Sequence, residues 1–171
     1  MAKEDDDSLS GHRLLAMLRQ THDIILRLRQ RELRKYNLTP EQASALMVIH
    51  ALGNKATTAE ISRRLLRESN SMTVLLRRME NRGLISKRPD THRRNVIRIS
   101  LTRKGTEAYQ NALKIDNFNH VVSKMKIEDR RKLWSLLEIL RNAALEDMKI
   151  DIASYSDFSE KLTSLDEIKS R

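Results

Sequence analysis

Between Ser69 and Arg82 the sequence holds side chains that, set on one face of a helix, could hydrogen-bond the edges of nucleic-acid bases. At 100° per residue, Met72, Leu75, Leu76 and Met79 fall on one side. Asn70, Val74, Arg77 and Asn81 fall on the other, flanked by Thr73 on one edge and by Ser71 and Arg78 on the opposite edge. Arginine offers two parallel donors to guanine, asparagine a donor and an acceptor to adenine, and a small apolar group fits the thymine methyl. The first half of such a helix enters a major groove deepest, which ranks Asn70, Ser71, Thr73, Val74 and Arg77 first, with Ser69 and Arg78 beside them. The competing reading is an ordinary solvated helix face, and this segment alone does not separate the two.

What lies on either side does. Upstream, Thr58 is expected to cap a short helix reaching about Leu66, with Ile61 and Leu65 inward and a turn at Arg67 and Glu68. Two short helices joined by a tight turn form a helix-turn-helix. Downstream of Gly83 the period changes from helical to alternating. Leu84 to Arg88 and Val96 to Leu101 read as two strands around a polar tip from Asp90 to Arg94, a hairpin appended to the second helix as a wing. Arg93 and Arg94 at its tip, with Lys87, Arg88 and Arg98 on its arms, are candidates for the backbone or a narrow minor groove of DNA. Ser62, Arg63, Arg64 and Arg67 are candidates for phosphates, which fix register without reading sequence.

Charge supports this. From Lys55 to Lys104 there are 14 basic and four acidic side chains, leaving 19 of the 33 basic and 19 of the 23 acidic ones elsewhere. The net charge of +10 is thus confined to under a third of the 171 residues. An excess in one segment between neutral flanks is the footprint of a polyanion binder.

Enzyme chemistry finds little support. The four glycines, at 11, 53, 83 and 105, are isolated and form no phosphate-cradling loop. His12, His22, His50, His92 and His120 show no metal-ligand spacing. His22 next to Asp23 reads as a surface pair, and His50 as a core or pocket histidine. Without cysteine there is no disulfide, thiolate metal site or thiol redox sensor. No catalytic residue, cofactor or metal is therefore expected. No apolar run approaches a membrane span, and the acidic start from Ala2 to Asp7 is unlike a signal peptide, so a cytoplasmic location is expected.

The elements that position the reading face follow from periodicity and caps. The expected class is mainly α with a small β wing. Residues 1–8 read as a disordered acidic start. A long helix from about Ser10 to Tyr36 carries Leu14, Leu18, Ile25 and Leu28 in one stripe; at some 40 Å it is too long to cover that stripe against a small core. Thr39, Pro40 and Gln42 spell a capped helix start, and Gly53 its end. After the wing, helix is expected from Arg103 to about Lys124, and a further one carries Leu133, Leu137, Leu140, Ala144 and Met148. Residues 9–37 and 106–150 are thus expected to form dimerisation helices, with Leu14, Leu18, Leu133, Leu137 and Leu140 at the seam. The winged helix-turn-helix occupies 38–105, and 151–171 is a polar tail with a helical spacing of Tyr155, Phe158, Leu162 and Leu165.

Three segments in order resemble the multiple antibiotic resistance regulator (MarR) family: Thr58-Ala59-Glu60-Ile61; Met79-Glu80-Asn81-Arg82-Gly83-Leu84-Ile85; and Arg93-Arg94-Asn95 followed by Leu101-Thr102-Arg103-Lys104-Gly105. The likeness runs from about Leu9 to Met148, with Met79 where a leucine is usual. Many relatives have an acidic residue just before the wing arginine; here Thr91 and His92 precede Arg93. The resemblance implies a homodimer on a palindromic operator and repression relieved by a small aromatic or anionic effector, for which His12, His50 and nearby arginines are candidates. A symmetric dimer sets its two reading helices about 34 Å apart, one turn of DNA. Two other readings remain: a helical module whose basic strip meets an acidic protein, and a non-specific architectural DNA binder.

Overall fold

The computed structural model describes residues 2–150 except His92 and Arg94, with side chains from Gly11 onward. Its elements run α1 Ala2–Arg34, α2 Pro40–Leu52, a 3-10 turn Gly53–Lys55, α3 Thr58–Arg64, α4 Ser69–Asn81, β1 Ile85–Pro89, β2 Ile97–Leu101, α5 Arg103–Ala112, α6 Asp116–Val122 and α7 Ile127–Asp147. The expected class, mainly helical with a two-stranded wing, is the one observed.

Helix α2 is the centre around which the rest is built. Its start is the expected capping box: the Thr39 hydroxyl accepts from Gln42 N, and the Gln42 side chain accepts from Thr39 N at 3.2 Å. Ala43, Ala45, Leu46, Val48, Ile49 and Leu52 are all buried, because the helix is surrounded by α1, α3, α4, α5 and β2. Leu33, Ile61, Met72, Leu76, Met79, Leu84, Ile85, Ile99 and Tyr109 complete one core. The strands pair antiparallel with Ile85 opposite Leu101 and Pro89 opposite Ile97. A further bond from Ile99 N to Ala56 O (3.0 Å) ties the wing to the residue that closes the 3-10 turn.

Several boundaries differ from expectation. Helix α1 starts at Ala2, so residues 2–8 of the expected disordered start form its first turns. The cap of α3 is Thr57, not Thr58: Thr57 is extended, and its hydroxyl accepts from Glu60 N at 3.2 Å. The single helix expected from Arg103 to Lys124 is broken between α5 and α6. There Arg29 of α1 donates to the carbonyls of Ala112 and Lys114, and Glu32 accepts from Asn117 N at 3.1 Å. These bonds satisfy backbone groups that a continuous helix would have paired internally. The tail, 151–171, lies outside the described residues.

The hydrophobic cover is incomplete at two helices. Leu14 (54%), Ile24 (62%), Trp134 (58%) and Ile139 (64%) stand in solvent, and of α7 only Leu145 is buried among the described residues.

Candidate nucleic-acid interface

Helix α4 divides as its periodicity predicts. Met72, Leu76 and Met79 are fully buried and Leu75 half-buried, while Ser69, Asn70, Ser71, Thr73, Val74, Arg77 and Arg78 are exposed on one continuous side. Its end is fixed by Gly83, whose positive φ of 68° lets Gly83 N reach Glu80 O (2.8 Å) and Leu84 N reach Met79 O (2.9 Å). The chain thereby leaves α4 directly into β1, which holds the wing in a fixed relation to the helix.

The arginines near α4 fall into two sets. Arg77 and Arg78 have no intramolecular ion pair among the described residues, so their full charge and donor set face outward. Arg82 turns the other way: it donates to the Gln42 side chain (2.7 Å) and to Asn37 O (2.6 Å), clamping the end of α4 to the start of α2. Lys104 donates to Arg82 O (2.9 Å). These are positions where a count by charge alone would expect an outward cation.

Of the expected phosphate contacts, Arg63 and Arg67 are exposed, each beside an acid: Arg63 with Glu60 at 2.7 Å and Arg67 with Glu41 at 3.8 Å. Exposed pairs of this kind hold weakly, and a phosphate can take over the cation. Ser62 is a correction. It is 5% exposed, on the inward side of α3 beside Ile61, so it does not face a phosphate.

In the wing, Lys87 pairs with Glu80 of α4 (2.9 Å) and so braces the hairpin against that helix. Arg88 and Arg93 are exposed. Arg94, the second tip arginine, lies outside the described residues. The acid that keeps the tip in shape is Asp90. It takes Arg98 Nε at 2.5 Å and Arg93 N at 2.9 Å, a role for which the position before Arg93 appeared vacant in the sequence. Arg98 also reaches Lys55 O at 3.3 Å, so it is an internal strut more than a groove contact. Between the wing and α3 opens a cleft of about 850 Å³, lined by Lys55, Arg63, Arg64, Arg93 and Arg98 against Glu60 and Asp90. Its balance of charge is positive and it adjoins the exposed face of the helix-turn-helix.

Away from this face, His50 is exposed rather than buried, and its ring stacks on Tyr109 with centroids 4.1 Å apart. Tyr109 is buried with no hydrogen-bond partner for its hydroxyl among the described residues, and burial raises its pKa. His12 is exposed on α1. Leu14, Leu133, Leu137 and Leu140 are exposed and Leu18 is half-buried. No cluster of potential metal ligands occurs among the described residues, and no helix there is long and apolar enough to cross a membrane.

Residues 36–94 match a profile described as the MarR family. The organic hydroperoxide resistance transcriptional regulator of Bacillus subtilis (strain 168) is 34% identical over 107 residues, 62% of this chain and 71% of that protein. Among solved structures, the organohalide-sensing RdhR transcriptional regulator in its ligand-free form superposes with a TM-score of 0.71 at 30% identity, over 79% of this chain and 81% of that one. Its 2,4-dichlorophenol-bound form gives the same values. A variant of MarR from E. coli complexed with operator DNA shares the fold at a TM-score of 0.65 and 20% identity, over 75% of this chain and 91% of that one.

Proposed function

Because this chain belongs to the MarR family of DNA-binding transcriptional regulators, we propose that it acts as a homodimeric repressor on a palindromic operator, with α4 in the major groove and the wing on the flanking backbone. The observation that carries this reading is the pairing on one surface of an exposed polar face, Asn70 to Arg78, with the segment that holds all the excess charge. Polyanion attraction supplies the grip and the outward side chains of α4 supply the preference.

The dimer follows from surface that one chain leaves uncovered. Leu14 of α1 and Leu133, Leu137 and Leu140, which share one stripe of α7, are exposed, and an exposed apolar stripe of this kind marks an interaction surface. Release would come from a small aromatic or anionic effector, as the dichlorophenol bound by the organohalide-sensing relative suggests. The exposed His50 ring on Tyr109, between the dimer helices and the DNA-binding unit, is the group we assign to meet it. A hydroperoxide acting through a thiol is excluded, since the chain has no cysteine.

Footprinting on genomic fragments captured by the protein tests the reading. Two-fold-symmetric protection with half-site centres about 34 Å apart, released by a phenolic compound, is the expected result. Protection of a single half-site, or capture of fragments without a shared motif, would refute it.

A further inference from the structure

We propose that Thr73 reads DNA through its methyl group and that, together with Val74, it selects thymines next to the base pairs met by Asn70 and Arg77. This rests on the reading of α4 as the groove-facing helix and adds which base edge these residues take.

The observation behind it is the hydrogen bond from Thr73 Oγ1 to Ser69 O, 2.8 Å, one turn back along α4. A threonine hydroxyl has one proton. Here that proton is spent inside the helix, so Thr73 cannot donate to a purine N7 or to thymine O4. What remains to an exposed, β-branched side chain is its Cγ2 methyl, and the back-bond holds it in one rotamer before any DNA arrives. Val74, 38% exposed, presents two methyls about 100° further round the helix. By contrast, Asn70 and Arg77 have no intramolecular partner among the described residues and keep their donors for bases.

Taken around the helix axis, the outward strip runs Thr73, Arg77, Asn70, Val74: apolar, polar, polar, apolar. In the major groove the one apolar group a base pair presents is the thymine 5-methyl. A strip that sets two methyl-bearing residues beside two polar ones therefore matches a half-site with thymines adjacent to its polar-read pairs. The hydroxyl oxygen can still accept from an adenine or cytosine amino group, and that alternative is what the test must separate.

The full-length protein first selects sites from a random-sequence duplex library. Binding to the best site is then measured with single thymines replaced by deoxyuridine, which removes the methyl and leaves the hydrogen-bonding edge intact. Two positions per half-site are expected to lose about fourfold in affinity, the equilibrium equivalent of one methyl kept from contact. Thr73→Val should bind like the parent, whereas Thr73→Ser should lose the same factor and become indifferent to deoxyuridine at one position. Val74→Ala should become indifferent at the other. Loss in Thr73→Val with binding kept in Thr73→Ser would overturn the proposal by showing that the hydroxyl makes the contact. Indifference of the parent to every deoxyuridine would overturn it too. If the selection returns bound duplexes with no consensus, the failure lies in the sequence-specific reading of α4, and the methyl proposal falls with it.

Discussion

Replacing Gly105 with alanine puts a number on how the wing is locked to the rest of the DNA-binding unit. Gly105 lies in the first turn of α5, and a Cβ built on it would stand 1.8 Å from Leu84 O and 2.9 Å from Leu84 C. Both are backbone atoms, so no rotamer change relieves the clash. With ordinary C···O contacts at about 3.3 Å or more, α5 or the start of β1 must shift by roughly 1.5 Å. That shift falls on a tight set of bonds. Thr102 N donates to Leu84 O (3.1 Å), the Thr102 hydroxyl donates to Gly83 O (2.6 Å), and the same oxygen caps Gly105 N (3.0 Å). Overpacking costs about 1 to 3 kcal/mol and loss of the cap about 1 kcal/mol. Alanine returns a little under about 1 kcal/mol as the better helix former. The net expectation is a loss of about 1 to 3 kcal/mol, measured by urea unfolding at fixed protein concentration. A Gly→Ala change in an unconstrained helix has the opposite sign, so a stabilised or unchanged variant would refute the close approach. Thr102→Val should cost less than additively when combined with Gly105→Ala, because both loosen the same bonds.

Other substitutions test other joints. Glu32 is nearly buried and its salt bridge to Arg29 is 2.7 Å; Arg29→Met leaves that carboxylate with Asn117 N and should cost about 3 kcal/mol, much of it regained when Glu32→Leu is added. Equal losses in the single and double variants would show that packing, not the uncompensated charge, sets the cost. Tyr109→Phe removes a buried hydroxyl without a partner among the described residues, so at neutral pH it should be neutral or stabilising by up to about 1 kcal/mol in the same unfolding assay. Because burial raises the Tyr109 pKa above 10.0, its contribution is fully present below pH 10 and is lost as pH rises toward the folded-state value. Tyr109→Phe should therefore lose less stability than the parent above pH 10, and parallel curves would contradict this. On random duplex DNA, Arg93→Ala should shallow the dependence of log affinity on log salt by about one unit if the wing tip meets a phosphate; an unchanged slope would place that side chain off the backbone.

Local signals carried most of the fold. Thr39, Pro40 and Gln42 sit within four residues and close a capping box on themselves; Gly83 ends α4 through bonds within the same turn. The division of α4 into buried and exposed sides needs only the helical period and a core to bury Met72, Leu76 and Met79. What stayed hidden depends on partners far along the chain. The break between α5 and α6 is made by Arg29 and Glu32, more than 80 residues upstream. Arg82 turns inward because Asn37 and Gln42 await it, and Asp90 completes the wing because the hairpin register brings Arg98 to it. Ser62 and His50 reversed their expected exposure: Ser62 is buried next to Ile61 on α3, and His50, exposed at the end of α2, lies on the Tyr109 ring, 59 residues further along the chain. Thr57 and Thr58 are equally good caps by type, and the extended backbone at Thr57 decides between them.

The central claim is that α4 reads bases rather than merely lying on phosphates, and Arg77 tests it most directly. Affinities of the parent and of Arg77→Ala are measured at one salt concentration on a selected operator and on a shuffled duplex of the same composition. A loss of about 1 to 3 kcal/mol on the operator, with preference relaxed at one base pair and little change on the shuffled duplex, is the predicted result. An equal loss on both would contradict the claim and reduce Arg77 to a phosphate contact.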